Sequence, residues 1–204
     1  MNDLYTQLAT IFLGFFAIMN PIANTAVFAG LAGHKPKAEQ IKIALKALVI
    51  TFCVILAFAL LGNAIFHLFG ITISALRITG GILVFLVGYH MLNGAGSKLH
   101  STEQEAGDVS VSPLAVPLLA GPGTIATAMN YASSGSSAAI LMTMGMFAVL
   151  CVITFVCFVF SSRILAVIGE SGLSIVTRLM GLILAVIGTQ MVIVGVTAVV
   201  ATMK

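Results

Sequence analysis

Apolar residues run from Leu8 to Gly30 and again over about 42–66, 72–93, 112–132, 138–160 and 174–200. Each run meets the roughly 20 residues that a helix needs to cross a bilayer. The polar stretches between them are short, so the pattern predicts six spanning helices and no soluble domain. Inside the first run the pattern breaks. The segment AIMNPIANTAVF, residues 17–28, sets Asn20, Pro21, Asn24 and Thr25 in the middle of an otherwise apolar helix. The fourth run breaks in the same way at Gly121-Pro122-Gly123, followed by Thr124 and Thr127. Hydrocarbon penalises an unpaired polar group, and proline deletes a backbone hydrogen bond. These residues therefore need a protein interior or a ligand.

Asparagine is a strong N-cap and proline fits the first helical position, so Asn20-Pro21 reads as the start of a second half-helix. Gly121-Pro122-Gly123 reads likewise, with two glycines allowing an unwound backbone. Half-helix N-termini carry free N–H groups and a partial positive charge suited to a carboxylate or phosphate. The candidate binding residues are Asn20, Pro21, Asn24, Thr25, Gly121, Pro122, Gly123 and Thr124, with Thr127 offering one more hydroxyl. The competing reading is a pair of proline kinks satisfied by neighbouring helices.

The two breaks belong to a longer correspondence. The interval from Pro21 to Pro122 equals that from Arg77 to Arg178. With one residue of slippage, Gly81, Gly88 and Ala95 match Gly181, Gly188 and Gly195, and Met91 matches Met191. This predicts a duplicated three-helix unit, residues 1–96 and 112–204, joined by a cytoplasmic linker over 97–111. Because three is odd, the second copy crosses in the opposite sense. The expected fold is therefore an all-α membrane protein of six transmembrane helices, arranged as two inverted three-helix repeats, with helices 1 and 4 broken at mid-membrane. The glycines spaced by seven read as packing seams between helices.

Composition agrees: 60% of the 204 residues are hydrophobic and 7% are charged, against roughly a quarter charged in soluble domains. The start of the chain lacks the basic region of a cleaved signal, so the first run is expected to be a retained helix. Lys35, Lys37, Lys42, Lys46, Lys98, Arg163 and Arg178 gather at the ends joining helices 1–2, 3–4 and 5–6, whereas Arg77 and Lys204 fall on the other side. The retention of positive charge on the cytoplasmic side then places both termini outside. The net charge of +3 expresses that rule and gives no surface for nucleic acid.

Cys53, Cys151 and Cys157 lie in apolar helices without the spacing of a redox or zinc pair, so no metal or cofactor is expected. Arg77 and Arg178 stand near helix starts and are expected to snorkel to an interface, with gating as the lesser reading. His90 falls near the cytoplasmic end of helix 3. Asp3, Glu39, Glu103, Glu105, Asp108 and Glu170 lie in terminal or loop segments, which argues against a pump built on a buried carboxylate. Ser133, Ser134, Ser136 and Ser137 face the opposite side from His90, so a serine hydrolase is not expected and the chain is read as a non-enzyme.

Three segments together, FFAIMNPIANTAVF, PLAVPLLAGPGTIA at 113–126 and TRLMGLILAVIGTQM at 177–191, resemble the MarC family of bacterial and archaeal inner-membrane proteins. Asn20, Pro21 and Asn24 stand at the first motif, and Pro117, Gly121, Pro122, Gly123 and Thr124 at the second. The resemblance implies a six-helix fold in the cytoplasmic membrane. It also implies secondary transport of small neutral amino acids such as glycine and alanine. Ala23 replaces a glycine common in the first motif, which narrows the backbone approach there. Such a zwitterion suits the breaks: its carboxylate meets the half-helix N-termini, and its ammonium meets carbonyl and amide oxygens. Sodium or protons are the candidate coupling ions. The alternatives are an uncoupled channel or facilitator, an exporter of another small solute, and a non-transporting membrane assembly protein.

Overall fold

The computed structural model describes residues 2–70, 72–93, 110–132 and 136–202. The linker expected over 97–111, with Lys98, His100, Glu103, Glu105 and Asp108, lies outside the described residues except for 110 and 111, as do Ala95, Ser133 and Ser134. Among the described residues every regular element is helical: α1 (Asn2–Met19), α2 (Pro21–Ala32), α3 (Lys37–Phe69), α4 (Ile73–Leu92), a π-helical segment (Ser110–Leu119), α5 (Pro122–Ala132), α6 (Ser137–Val159) and α7 (Ser161–Thr202). Among the described residues, five stretches are long and apolar enough to cross a membrane: Leu4–Ala32, Lys37–Gly62, Ile73–Leu92, Ser137–Val159 and Ser171–Ala201. The run expected over 112–132 is divided between the π segment and α5, each too short to span alone.

The ends of these helices follow from local chemistry. Thr72 caps α4, its hydroxyl accepting from Ala75 N at 3.1 Å, and Ser136 caps α6, accepting from Ala139 N at 3.2 Å. Each satisfies an N–H that the helix cannot pair internally. Gly169, with φ 66° and ψ 172°, interrupts α7. That conformation is open to glycine and costly to a residue with a Cβ. It separates an early segment from the spanning part that follows, a division absent from the hydrophobic pattern.

Helices α4 and α7 form a glycine seam. A Cβ added at Gly81 would lie 2.6 Å from Gly188 O, and one at Gly88 would lie 2.5 Å from Gly181 O. Conversely, a Cβ at Gly181 would meet Gly88 O at 2.8 Å, and one at Gly195 would meet Ser74 O at 3.0 Å. Glycine is required here because the two backbones touch, which is how helices in lipid gain contact when hydrophobicity does not drive them together. The expected packing role of these glycines is what the structure has. Around α1 and α2, Phe15 packs on Phe147 with ring centroids 4.9 Å apart, and Phe28 stacks on Phe158 at 4.5 Å. These four rings are fully buried and fix the broken helix against α6.

Candidate functional site

The first break is a change of one residue. Asn20 has φ 39° and ψ 71° and is the one non-glycine with positive φ among the described residues. Asparagine tolerates that left-handed conformation because its short amide bonds to nearby backbone. Its Oδ1 accepts from Ala23 N at 3.2 Å, which makes it the N-cap of α2, and Pro21 takes the first helical position. Asn24 turns back and donates Nδ2 to Met19 O at 2.5 Å, covering a carbonyl at the end of α1. Thr25 donates its hydroxyl to Pro21 O at 2.7 Å. Pro21, Asn24 and Thr25 are buried.

Because the cap uses Oδ1, the amide orientation of Asn20 is fixed and its Nδ2 is left over. Asn20 is 4% exposed, and Nδ2 has no hydrogen-bond partner. Proline supplies no N–H, and the N–H groups of Ala23 and Asn24 go to Asn20 Oδ1 and Asn20 O. The donors that the start of α2 has left are Ile22 N–H and Asn20 Nδ2.

The second break is wider. The π segment closes with Ala120 N donating to Ala115 O at 2.8 Å, and Gly121 joins it to α5, whose first residue is Pro122. Ile125 N–H returns to Gly121 O at 3.0 Å, so Gly123 N–H and Thr124 N–H precede the ladder of α5. Gly123 and Thr124 are buried. One turn further on, Thr127 is 2% exposed and its hydroxyl has no partner. A wide-turn segment was not expected from the apolar run. Its signal in the sequence is Pro113 and Pro117 four apart, where the second cannot donate to the first as an α-helix requires.

The two breaks meet. A Cβ added at Gly123 would touch Ile18 Cγ2 at 3.6 Å and Val84 Cγ2 at 3.4 Å, which brings α1, α4 and α5 together two residues from each interruption. Gly123 of the second break thus lies beside Ile18, two residues before the first, and each region holds a buried polar atom without a partner, Asn20 Nδ2 in the first and Thr127 Oγ1 in the second. Such atoms cost on the order of 1–3 kcal/mol each without a partner.

Arg77 stands apart from that centre. Its Nε donates to Asn130 Oδ1 at 2.7 Å, tying the start of α4 to the far end of α5. The adjacent Tyr131 donates its hydroxyl to Thr10 O at 3.3 Å. Sequence reading pointed Arg77 to an interface and did not find Asn130, because nothing in the spacing joins residues on two different helices. Arg178 is exposed, and His90 is half-buried with its ring edge-on to Tyr89 at 6.0 Å.

Residues 5–200 match the model of the MarC family, described as integral membrane proteins. The chain is 38% identical to the membrane protein YvbG of Bacillus subtilis over 93% of each chain. It is 36% identical to a membrane protein of Pyrococcus horikoshii, covering 91% of this chain and 92% of that one. It is also 36% identical to one of Methanocaldococcus jannaschii, covering 91% and 93%. No solved structure matches. With apolar helices long enough to span a bilayer and a family match over nearly its whole length, the chain belongs to the MarC family of integral membrane proteins.

Proposed function

We propose that this protein is a secondary transporter of small neutral amino acids across the cytoplasmic membrane, holding the zwitterion between the starts of α2 and α5. The observation that carries the reading is the approach of Gly123 in the second break to Ile18 beside the first, with Asn20 Nδ2 buried without a partner at one break and Thr127 Oγ1 a turn beyond the other. Ile22, Gly123 and Thr124 N–H groups and Asn20 Nδ2 are donors, and they suit a carboxylate. Carbonyls ending α1 and the π segment suit the ammonium. Pro21, Asn24 and Thr25 shape the first wall, and Gly121, Pro122 and Gly123 the second. The walls carry no charged side chain, as a net-neutral substrate requires, and a small side chain fits among alanine, glycine and threonine. Sodium or protons would couple through neutral oxygens.

The architecture that goes with this reading is the six-span inverted repeat, residues 1–96 and 112–204, with the π segment and α5 together forming the fourth crossing. The glycine seam supports it. A two-fold operation that exchanges Gly81 with Gly181 and Gly88 with Gly188 converts the Gly81–Gly188 approach into the Gly181–Gly88 approach, and both are present. Both termini then face outward and Lys35 inward, which cysteine labelling from each side tests.

The decisive measurement is uptake and counterflow of labelled glycine, alanine, serine and threonine in proteoliposomes, with imposed sodium and proton gradients. Saturable uptake accelerated by substrate inside is the expected result. Uptake without counterflow would make the protein a channel, and no uptake or binding of any of the four would end the amino-acid reading.

A further inference from the structure

The last turn of α5 is pinned on two sides. Asn130 accepts from Arg77 of α4 at 2.7 Å, and its neighbour Tyr131 donates its hydroxyl to Thr10 O of α1 at 3.3 Å. The Tyr131 ring stands edge-on to Phe15 with centroids 5.9 Å apart, and Phe15 is itself packed on Phe147 of α6. Gly14 makes room for the phenol, since a Cβ there would lie 2.5 Å from the Tyr131 oxygen. Helices α1 and α5 therefore touch at two levels, at Ile18 and Gly123 beside the breaks and at Gly14 and Tyr131 about 12 Å further along α5. Thr127 stands between them, one helical turn from Gly123 and one from Tyr131 on the same stripe, and its buried hydroxyl has no partner.

The other half of the chain has no such fastening at the matching place. The interval that carries Pro21 to Pro122 and Arg77 to Arg178 also carries Ala29 to Asn130 and Gly30 to Tyr131. Alanine offers no side-chain hydrogen bond, and Gly30 is exposed, with nothing within 4 Å of a Cβ added there. A brace that served only to hold the half-helix in the bundle would be needed equally at α2 and α5. A fastening at one end, made of one phenol and one amide that can let go without breaking a helix, suits a contact that opens. We infer that Tyr131 seated on Gly14 and Thr10, together with the Arg77–Asn130 bond, is the gate on the side of the membrane where α1 begins, closing the way from that side to Thr127 and the breaks. The inference rests on the transporter reading, because alternating access requires that side to open in turn.

Thr127→Cys places a thiol behind this gate. A membrane-impermeant methanethiosulfonate is added to spheroplasts and to inverted vesicles, and an N-terminal tag shows which preparation exposes the side where α1 begins. Mass spectrometry locates the label at position 127 and separates it from Cys53, Cys151 and Cys157. From that side the reporter should react slowly. Tyr131→Ala should raise its rate roughly tenfold, the scale of one lost hydrogen bond with its ring contact, and leave the rate from the opposite side unchanged. Gly14→Ala crowds the phenol without altering α5, so it should act in the same direction, and it decides the matter if Tyr131→Ala does not fold. Fast labelling with the gate intact, an unchanged rate in the folded variants, an equal rise from both sides, or no labelling from that side in any variant would overturn the gate. The reaction needs no amino acid, so the two readings fail separately. Saturable amino-acid uptake with unchanged labelling removes the gate and leaves transport, whereas labelling opened by the variants without uptake of any amino acid upholds the gate and ends the amino-acid reading.

Discussion

At Asn20 the chain turns through a single left-handed residue, and the side chain of that residue caps the helix that follows. At Gly121 it leaves a π-helical segment, and α5 begins at Pro122 behind glycine, without a capping side chain of the Asn20 kind. The two breaks occupy matching places in the two halves of the sequence, yet they present different chemistry. The first has spent a backbone N–H on its own cap and offers an amide side chain in exchange. The second keeps adjacent backbone N–H groups and adds the Thr127 hydroxyl a turn later. A carboxylate between them would meet mostly side chain on one face and mostly backbone on the other. The two faces should therefore fail differently when mutated.

The largest effect is expected at the backbone face. A Cβ at Gly123 would sit at ordinary contact distance from Val84 and Ile18, so Gly123→Ala should fold and retain most binding. Gly123→Leu must place three further carbons where α1 and α4 already touch α5, and it should abolish amino-acid binding and counterflow. Equilibrium binding on detergent-purified protein that elutes as a single species checks this. A Gly123→Leu protein that binds normally would remove α5 from the site.

At the side-chain face, Asn20→Asp should come next. Aspartate is as good an N-cap as asparagine and tolerates the same backbone, so the fold should be kept. The variant replaces the free Nδ2 donor by an anionic oxygen facing the substrate carboxylate. Loss of a charge-assisted hydrogen bond costs roughly 1.5–3 kcal/mol, and the added repulsion should bring the affinity loss to about a hundredfold or more. Titration of labelled alanine measures it. Unchanged affinity would mean that Nδ2 faces no anion.

A smaller contrast separates conformation from chemistry at the same position. Asn20→Gly keeps access to positive φ, whereas Asn20→Ala loses both the cap and the conformation. Both should weaken binding about tenfold by removing Nδ2, but Ala should cost about 1–2 kcal/mol more stability than Gly. Thermal unfolding in detergent reads the difference. Equal stability would mean that the left-handed turn is not held by this residue.

What could be read in advance follows the range of the interactions. The Asn20 cap and the opening of α5 at Pro122 rest on neighbours in sequence and were legible from Pro, Asn and Gly, and five of the apolar runs were legible as spans, whereas the early part of α7 and the division of the 112–132 run were not. The glycine seam was legible as spacing, though its partners came from the fold: Gly81 approaches Gly188, one heptad away from the residue it matches in the repeat. The π turn was missed because hydropathy does not say whether a ladder closes at four residues or five; its one mark is the spacing of Pro113 and Pro117. The bond from Arg77 to Asn130 was hidden for another reason, since it joins helices more than fifty residues apart in sequence.

That bond sets the smallest predicted effect and the sharpest limit on the site. Asn130 lies seven residues beyond Gly123 on α5, about 10 Å along the helix, so Arg77 braces the half-helix at the end opposite its N-terminal backbone donors. If the substrate carboxylate is held by helix starts and Asn20 Nδ2, the guanidinium is not needed for it. Arg77→Gln can still offer an amide N–H toward Asn130, and it should leave alanine affinity within about threefold of the parent protein. Its stability should fall by no more than about 1 kcal/mol, the scale of one partly exposed hydrogen bond. Binding titration and thermal unfolding of the same sample test both expectations. A folded Arg77→Gln protein that has lost all binding would pair the carboxylate with arginine instead. The two helix breaks would then be structural kinks, and the contrast between their faces would have no bearing on substrate.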